Sequence, residues 1–145
     1  MSERENDVRK EVEDLHRFFV GWFNGTVDEA DLESVFVSRL DEHVLFISPD
    51  GNRMGRDGLV GMFRRAHGAN PEFRIEIRDV RVLRDLGDHL LVTYSEWQKR
   101  ARSSAKPDNA RFTSVLLTKK QPFKWLHIHE TWLPEAEMAA DPYDF

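Results

Sequence analysis

Two histidines one residue apart, His127 and His129, sit in the apolar run Phe123-Lys-Trp-Leu-His-Ile-His-Glu-Thr-Trp132. On a β-strand, residues two apart project to the same side, about 6–7 Å from one another. A His-x-His pair so placed could ligate zinc, given a third and usually a fourth ligand. Glu96, His89, His16 and His67 qualify by residue type only, and no spacing selects among them. No metal and no cofactor are therefore expected. The second chemistry open to these groups is acid–base. Glu96 lies in the run 90–98, in phase with Tyr94. A buried carboxyl is pushed up by burial and pulled down by an adjacent imidazolium, so the pair can divide acid and base roles. The expected catalytic set is Glu96 with His129 or His127. The plainer alternative is a pair of histidines hydrogen-bonded in a polar cavity and a Glu on a half-exposed strand.

Read with period two, Phe123, Trp125, His127, His129 and Thr131 share one face of the closing run. Leu126, Ile128, Glu130 and Trp132 share the other. Neither face is composed for water. The histidine face is expected to line a pocket walled by Phe19, Trp22, Phe46, Tyr94 and Trp125, which would take a small, mostly apolar molecule. The opposite face is expected on the outside of the sheet. Leu126, Ile128 and Trp132 there would form a patch larger than a monomer leaves wet, so a second copy should cover it, with Glu130 paired across the interface.

These residues need a scaffold. Val8, Val12, Leu15, Phe19, Trp22 and Phe23 recur at steps of three and four, the stripe of an amphipathic helix, and Asn24-Gly25 stops it. Thr26-Val-Asp-Glu29 reads as a capping box opening a second helix with Leu32, Val35 and Phe36 on its apolar side. A short strand over 43–48 ends in the turn Pro49-Asp-Gly-Asn52. A third helix starts near Asp57 and carries Leu59, Met62 and Phe63. The remainder reads as strands. Phe73, Ile75 and Ile77 alternate, then Val80 and Val82 alternate in opposite phase, which predicts a bulge at Arg78-Asp79. Strands follow over 90–98, 112–118 and 123–133. Residues 135–145 read as an acidic tail lying loosely on the surface. Helices segregated from a run of mostly antiparallel strands give an α+β fold, one bent sheet wrapped around N-terminal helices.

Composition narrows the classes. The 145 residues suit a single domain over 1–145, with its core at about 8–134. The net charge of −5 argues against nucleic acid as a partner. Lys99, Arg100, Arg102, Lys106 and Arg111 could attract an anion, but read more simply as a solvated hairpin loop. With no cysteine, disulfides and thiolate metal sites are excluded, and a cytoplasmic location is the natural expectation. The charged N-terminus is not a secretory signal, and no apolar run reaches the roughly 20 residues that span a bilayer.

The order of elements, with Ile47-Ser-Pro-Asp-Gly51, Gly55-Arg-Asp-Gly-Leu59 and the closing Phe123-Lys-Trp-Leu-His-Ile-His-Glu, resembles the nuclear transport factor 2-like superfamily. This cone-shaped, cystatin-like fold is shared by ketosteroid isomerase, scytalone dehydratase and SnoaL-like cyclases. The closing run is similar to the Trp-Lys-x-x-His-x-His strand of SnoaL-like domains of unknown function, with Phe123 in place of the Trp. The resemblance implies a homodimer with a pocket inside the cone, and it adds Ser48 to the pocket residues. Ser48 stands where the isomerase has its general-base Asp, and the first helix offers Phe18, Phe19, Trp22 and Phe23 but no Tyr. The isomerase mechanism is thus not carried over. A ligand-binding domain, a cofactor-free isomerase, dehydratase or cyclase, and a dimerisation module without ligand all remain open.

Overall fold

The computed structural model describes residues 2–140, 143 and 145. Helix α1 spans Glu3–Asn24. The Ser2 hydroxyl accepts the Glu5 N–H, and Glu3 and Glu5 lie at the positive end of the helix dipole. Its buried stripe is Val8, Val12, Leu15, His16, Phe18 and Trp22. Gly25 ends it in the left-handed region, where a Cβ would stand 3.2 Å from the Gly68 Cα. Glycine at both positions lets the loop around Gly68 close against the end of α1.

The second helix differs from the capping-box expectation. Asp28 accepts the Ala30 N–H through its own side chain, and the Thr26 hydroxyl turns back to the Gly21 carbonyl. Such local bonds compete with helix formation. Helical backbone resumes only at Leu32, as a π-type turn over Leu32–Phe36 and a 3₁₀ turn over Val37–Arg39.

Strand β1 (Leu40–Ile47), a turn, the two-residue β2 (Arg53–Met54) and α2 (Arg56–Arg65) come next. Four long strands follow: β3 (Arg74–Asp85), β4 (His89–Lys99), β5 (Asn109–Thr118) and β6 (Trp125–Trp132). They make one six-stranded sheet in the order β2-β1-β6-β5-β4-β3, antiparallel except where β1 runs parallel to β6. The fold is α+β, with α1 and α2 laid in the hollow of a curved sheet. Trp22 is 2% exposed, and its indole N–H donates to the Phe63 carbonyl, tying α1 to α2. Among the described residues no helix is long and apolar enough to cross a membrane.

Two of the register shifts in the sheet bear on the site. In β3 the pairing slips between Arg78 and Arg81, around Asp79 with φ 56°, at the phase switch read in the sequence. In β6 the slip lies at Leu126: Leu117 faces Trp125, whereas its neighbour Leu116 faces His127. One extra residue on β6 moves every later side chain to the face opposite that given by simple alternation. Trp125, Ile128 and Glu130 therefore share the concave side. The tail departs from expectation over its first residues, whereas 141, 142 and 144 lie outside the described residues. Helix α3 (Glu135–Ala140) packs Met138 on Trp97 and Ala110, covering one end of the convex face.

Candidate functional site

A cavity of about 150 Å³ opens between the helices and the concave face of the sheet. Its walls are largely aromatic. Phe19 of α1 stands edge-on to Phe36 at 5.1 Å and packs on Phe63 of α2 at 4.9 Å. Phe23, Phe46, Phe73 and Trp125 complete much of the apolar lining. Against this, six polar side chains also line the cavity: His16, Tyr94, Glu96, Gln98, Arg111 and Glu130.

The sheet register brings them together. Period two puts Tyr94, Glu96 and Gln98 on one face of β4, and Glu96 pairs across to Arg111 of β5. Thr113 of β5 links Tyr94 on one side to Glu130 of β6 on the other. His16 comes from above, four residues after Val12 on the buried stripe of α1.

His16 and Glu96 form a buried ion pair, Nε2 to Oε1 3.1 Å. The other ring nitrogen, Nδ1, lies 2.7 Å from the Val12 carbonyl, which can only accept, so Nδ1 carries a proton. The Nε2–Glu96 contact then holds one further proton. Burial pushes His16 down, but the Glu96 carboxylate outweighs it and holds the imidazole above its ordinary value. Burial pushes Glu96 up, yet His16, with Arg111 and a 2.7 Å bond from the Gln98 amide, brings it down to about 2. The pair is imidazolium and carboxylate.

Arg111 and Glu130 make the second pair, at 3.1 Å, and a further guanidinium N–H donates to Asn109 at 2.8 Å. Here burial wins. With the Glu96 charge nearby, it raises Glu130 to about 7 despite Arg111. Burial also holds the Tyr94 hydroxyl well above its usual range, so it stays a neutral phenol. Glu130 is thus the lining carboxyl placed to exchange a proton near neutral pH.

The expected site residues divide. Phe19, Phe46, Tyr94, Glu96 and Trp125 line the cavity. Trp22 lies in the core beside it, and the Ser48 hydroxyl accepts the Asn52 N–H in the turn after β1. His127 and His129 are corrected: the extra residue at Leu126 turns them outward, ring centroids 6.2 Å apart, with His129 exposed. The same step corrects the dimer set. Ile128 and Glu130 line the cavity instead of the outer face. Trp132 stands with Arg111, whose guanidinium lies 4.9 Å from its ring. Leu126 remains half-buried at the slip itself. Arg111 leaves the basic loop group for the interior. His16 was the missed partner of Glu96, although its place on the stripe of α1 was a signal. Among the described residues no three His, Asp or Glu groups gather as metal ligands.

A family model described as "SnoaL-like domain" matches residues 18–133. Sucrose-phosphatase 2 of Nicotiana tabacum is 26% identical over 134 residues, covering 85% of this chain. The chain spans only 30% of that relative's length. Among solved structures, an NTF-2-like protein of unknown function from Pseudomonas aeruginosa is similar with a TM-score of 0.77 and 26% identity, covering 88% of this chain and 98% of its own. The association domain of C. elegans CaMKII has a TM-score of 0.63 at 15% identity, covering 87% and 93%, a likeness of fold.

The two carboxyls bias stability in opposite directions. Glu96, held low, adds stability above about pH 4.5 that is lost as pH falls towards 2. Glu130, held high, contributes most below about pH 4.5, and that contribution is lost as pH rises through 7. Urea unfolding from pH 4 to 8 should show the Glu130→Gln variant gaining on wild type across this range, by about 1–3 kcal/mol at pH 8. A constant difference between the two proteins would refute the assignment.

Proposed function

The chain belongs to the SnoaL-like domain family, and from that premise we propose that it is a homodimeric domain whose cone binds a small, mostly apolar molecule. The observation that carries the reading is the cavity itself, with apolar walls and a convergent polar cluster. Such a combination is the usual form of a small-molecule site. Its volume suits a compound of about one aromatic ring. The match to sucrose-phosphatase lies in under a third of that protein, and sucrose-phosphate hydrolysis forms no part of the proposal. The cysteine-free sequence supports a cytoplasmic setting.

The dimer is proposed on the convex face. Phe112 is 41% exposed there, with half-buried Leu116 four residues along the same strand and half-buried His127 opposite Leu116 on β6. The fold likeness to an association domain supports self-association. A second reading, cofactor-free proton transfer in an isomerase, dehydratase or cyclase, is favoured by one observation: Glu130 stands near 7 inside the cavity. Glu96, fixed as the partner of His16, then serves as a charge that tunes Glu130, and the strand histidines have no part in the chemistry.

Each reading has its measurement. Toluene should raise the melting temperature of the wild type, and Met62→Trp, which fills the cavity, should abolish that shift while keeping the circular dichroism of the fold. An equal shift in both proteins would place toluene elsewhere. Light scattering at micromolar concentration should give a dimer for wild type and a folded monomer for Phe112→Asp; a monomeric wild type contradicts the assembly. For catalysis, a carbonyl substrate turned over by the protein should show a pH–rate limb near 7 that disappears in Glu130→Gln. A limb that persists in that variant removes Glu130 from the reaction.

A further inference from the structure

Resting on the reading of the cone as a ligand cavity, we propose that its occupant is a monoanion of single-ring size, such as an aryl carboxylate, whose acidic oxygens seat on the Arg111 guanidinium. The starting observation is a donor without an acceptor. Arg111 lines the cavity and directs one terminal N–H to Glu130 and another to Asn109. Its Nε is buried and meets no acceptor among the described residues. A buried charged donor left unmet is costly, so an acceptor arriving in the cavity gains more there than at an already satisfied group.

Charge then selects the kind of acceptor. The titratable groups facing Glu130 are His16 from α1, Tyr94 and Glu96 from β4, and Arg111 from β5. His16 and Glu96 cancel one another, and Tyr94 is neutral. Among the described residues that leaves Arg111 balanced by Glu130, and Glu130 is only partly ionised at neutral pH. When Glu130 holds its proton the polar end carries one net positive charge, which a single carboxylate neutralises. When Glu130 is ionised it competes with the ligand for the same guanidinium. An anion should therefore bind together with one proton taken up by Glu130, and the aromatic walls take its ring. An amine would show the reverse linkage, since it needs Glu130 ionised.

The experiment is calorimetric titration of the full chain with benzoate, benzamide, benzylamine and toluene at pH 6, 7 and 8, in buffers of different ionisation enthalpy. Benzoate should bind with uptake of a proton approaching one at pH 8, and its Kd should rise up to about tenfold from pH 7 to 8. Benzamide should show no such slope. Glu130→Gln should bind benzoate without pH dependence. Arg111→Gln should lose benzoate at least tenfold while still binding toluene, which also shows that the variant is folded. Toluene binding without benzoate binding overturns the proposal and leaves the cavity reading standing. So does benzoate with no pH dependence in wild type, or a preference for benzylamine. Failure of all four compounds to bind removes the cavity reading, and this inference with it.

Discussion

An imidazolium and a carboxylate held together out of water join the helical layer to the sheet. His16 of α1 and Glu96 of β4 are each about 95% buried, and neither could remain charged there alone. Breaking such a pair by removing one partner typically costs about 3–5 kcal/mol, because the survivor is left uncompensated. The pair fixes how far α1 lies from the strands. Aromatic rings meet edge-on around the same point, with the His16 ring 5.0 Å from Phe19 and 5.5 Å from Tyr94. It also sets the local electrostatics. A permanent negative charge at Glu96 is one reason why Glu130 cannot ionise at its usual pH.

Much of the frame was legible because burial leaves a period. The stripe of α1 named its own buried side, and the phase reversal around Arg78-Asp79 named the bulge in β3. The closing strand misled for a physical reason. Both of its faces are apolar or aromatic, so the pattern does not specify register. A slip at Leu126 leaves no trace in composition, yet it decides whether the histidines or Ile128 and Glu130 face inward. Arg111 was hidden differently. It follows a run of loop cations, and only its position two residues inside β5 separates it from them. Glu96 was readable from its strand, but identifying His16 as its partner required knowing which turn of α1 crosses β4.

The two sides of the sheet thus carry separate assignments. The concave side holds charged groups in pairs against aromatic walls, which suits selecting a small molecule by shape and by charge. The convex side is closed at one end, where Trp97 lies under Met138 and against the Arg78 guanidinium at 4.3 Å. The remainder, around Phe112 and the strand histidines, is where a second copy would have to sit. The inward positions of β4, β5 and β6 serve both ends, since Leu90, Val92, Val115 and Leu117 carry the core while Glu96, Arg111 and Glu130 line the cavity.

The parallel pairing of β1 with β6 has a consequence for synthesis. β3 to β6 form a meander in which each strand meets the one just made, but β1 borders only the two-residue β2 and the last long strand. From the moment residues 40–47 leave the ribosome, nearly eighty more must be joined before their main partner exists. Through that interval one side of β1 stays an open edge, with main-chain groups available to any extended chain nearby. A pause in synthesis anywhere between β1 and β6 would lengthen that exposure.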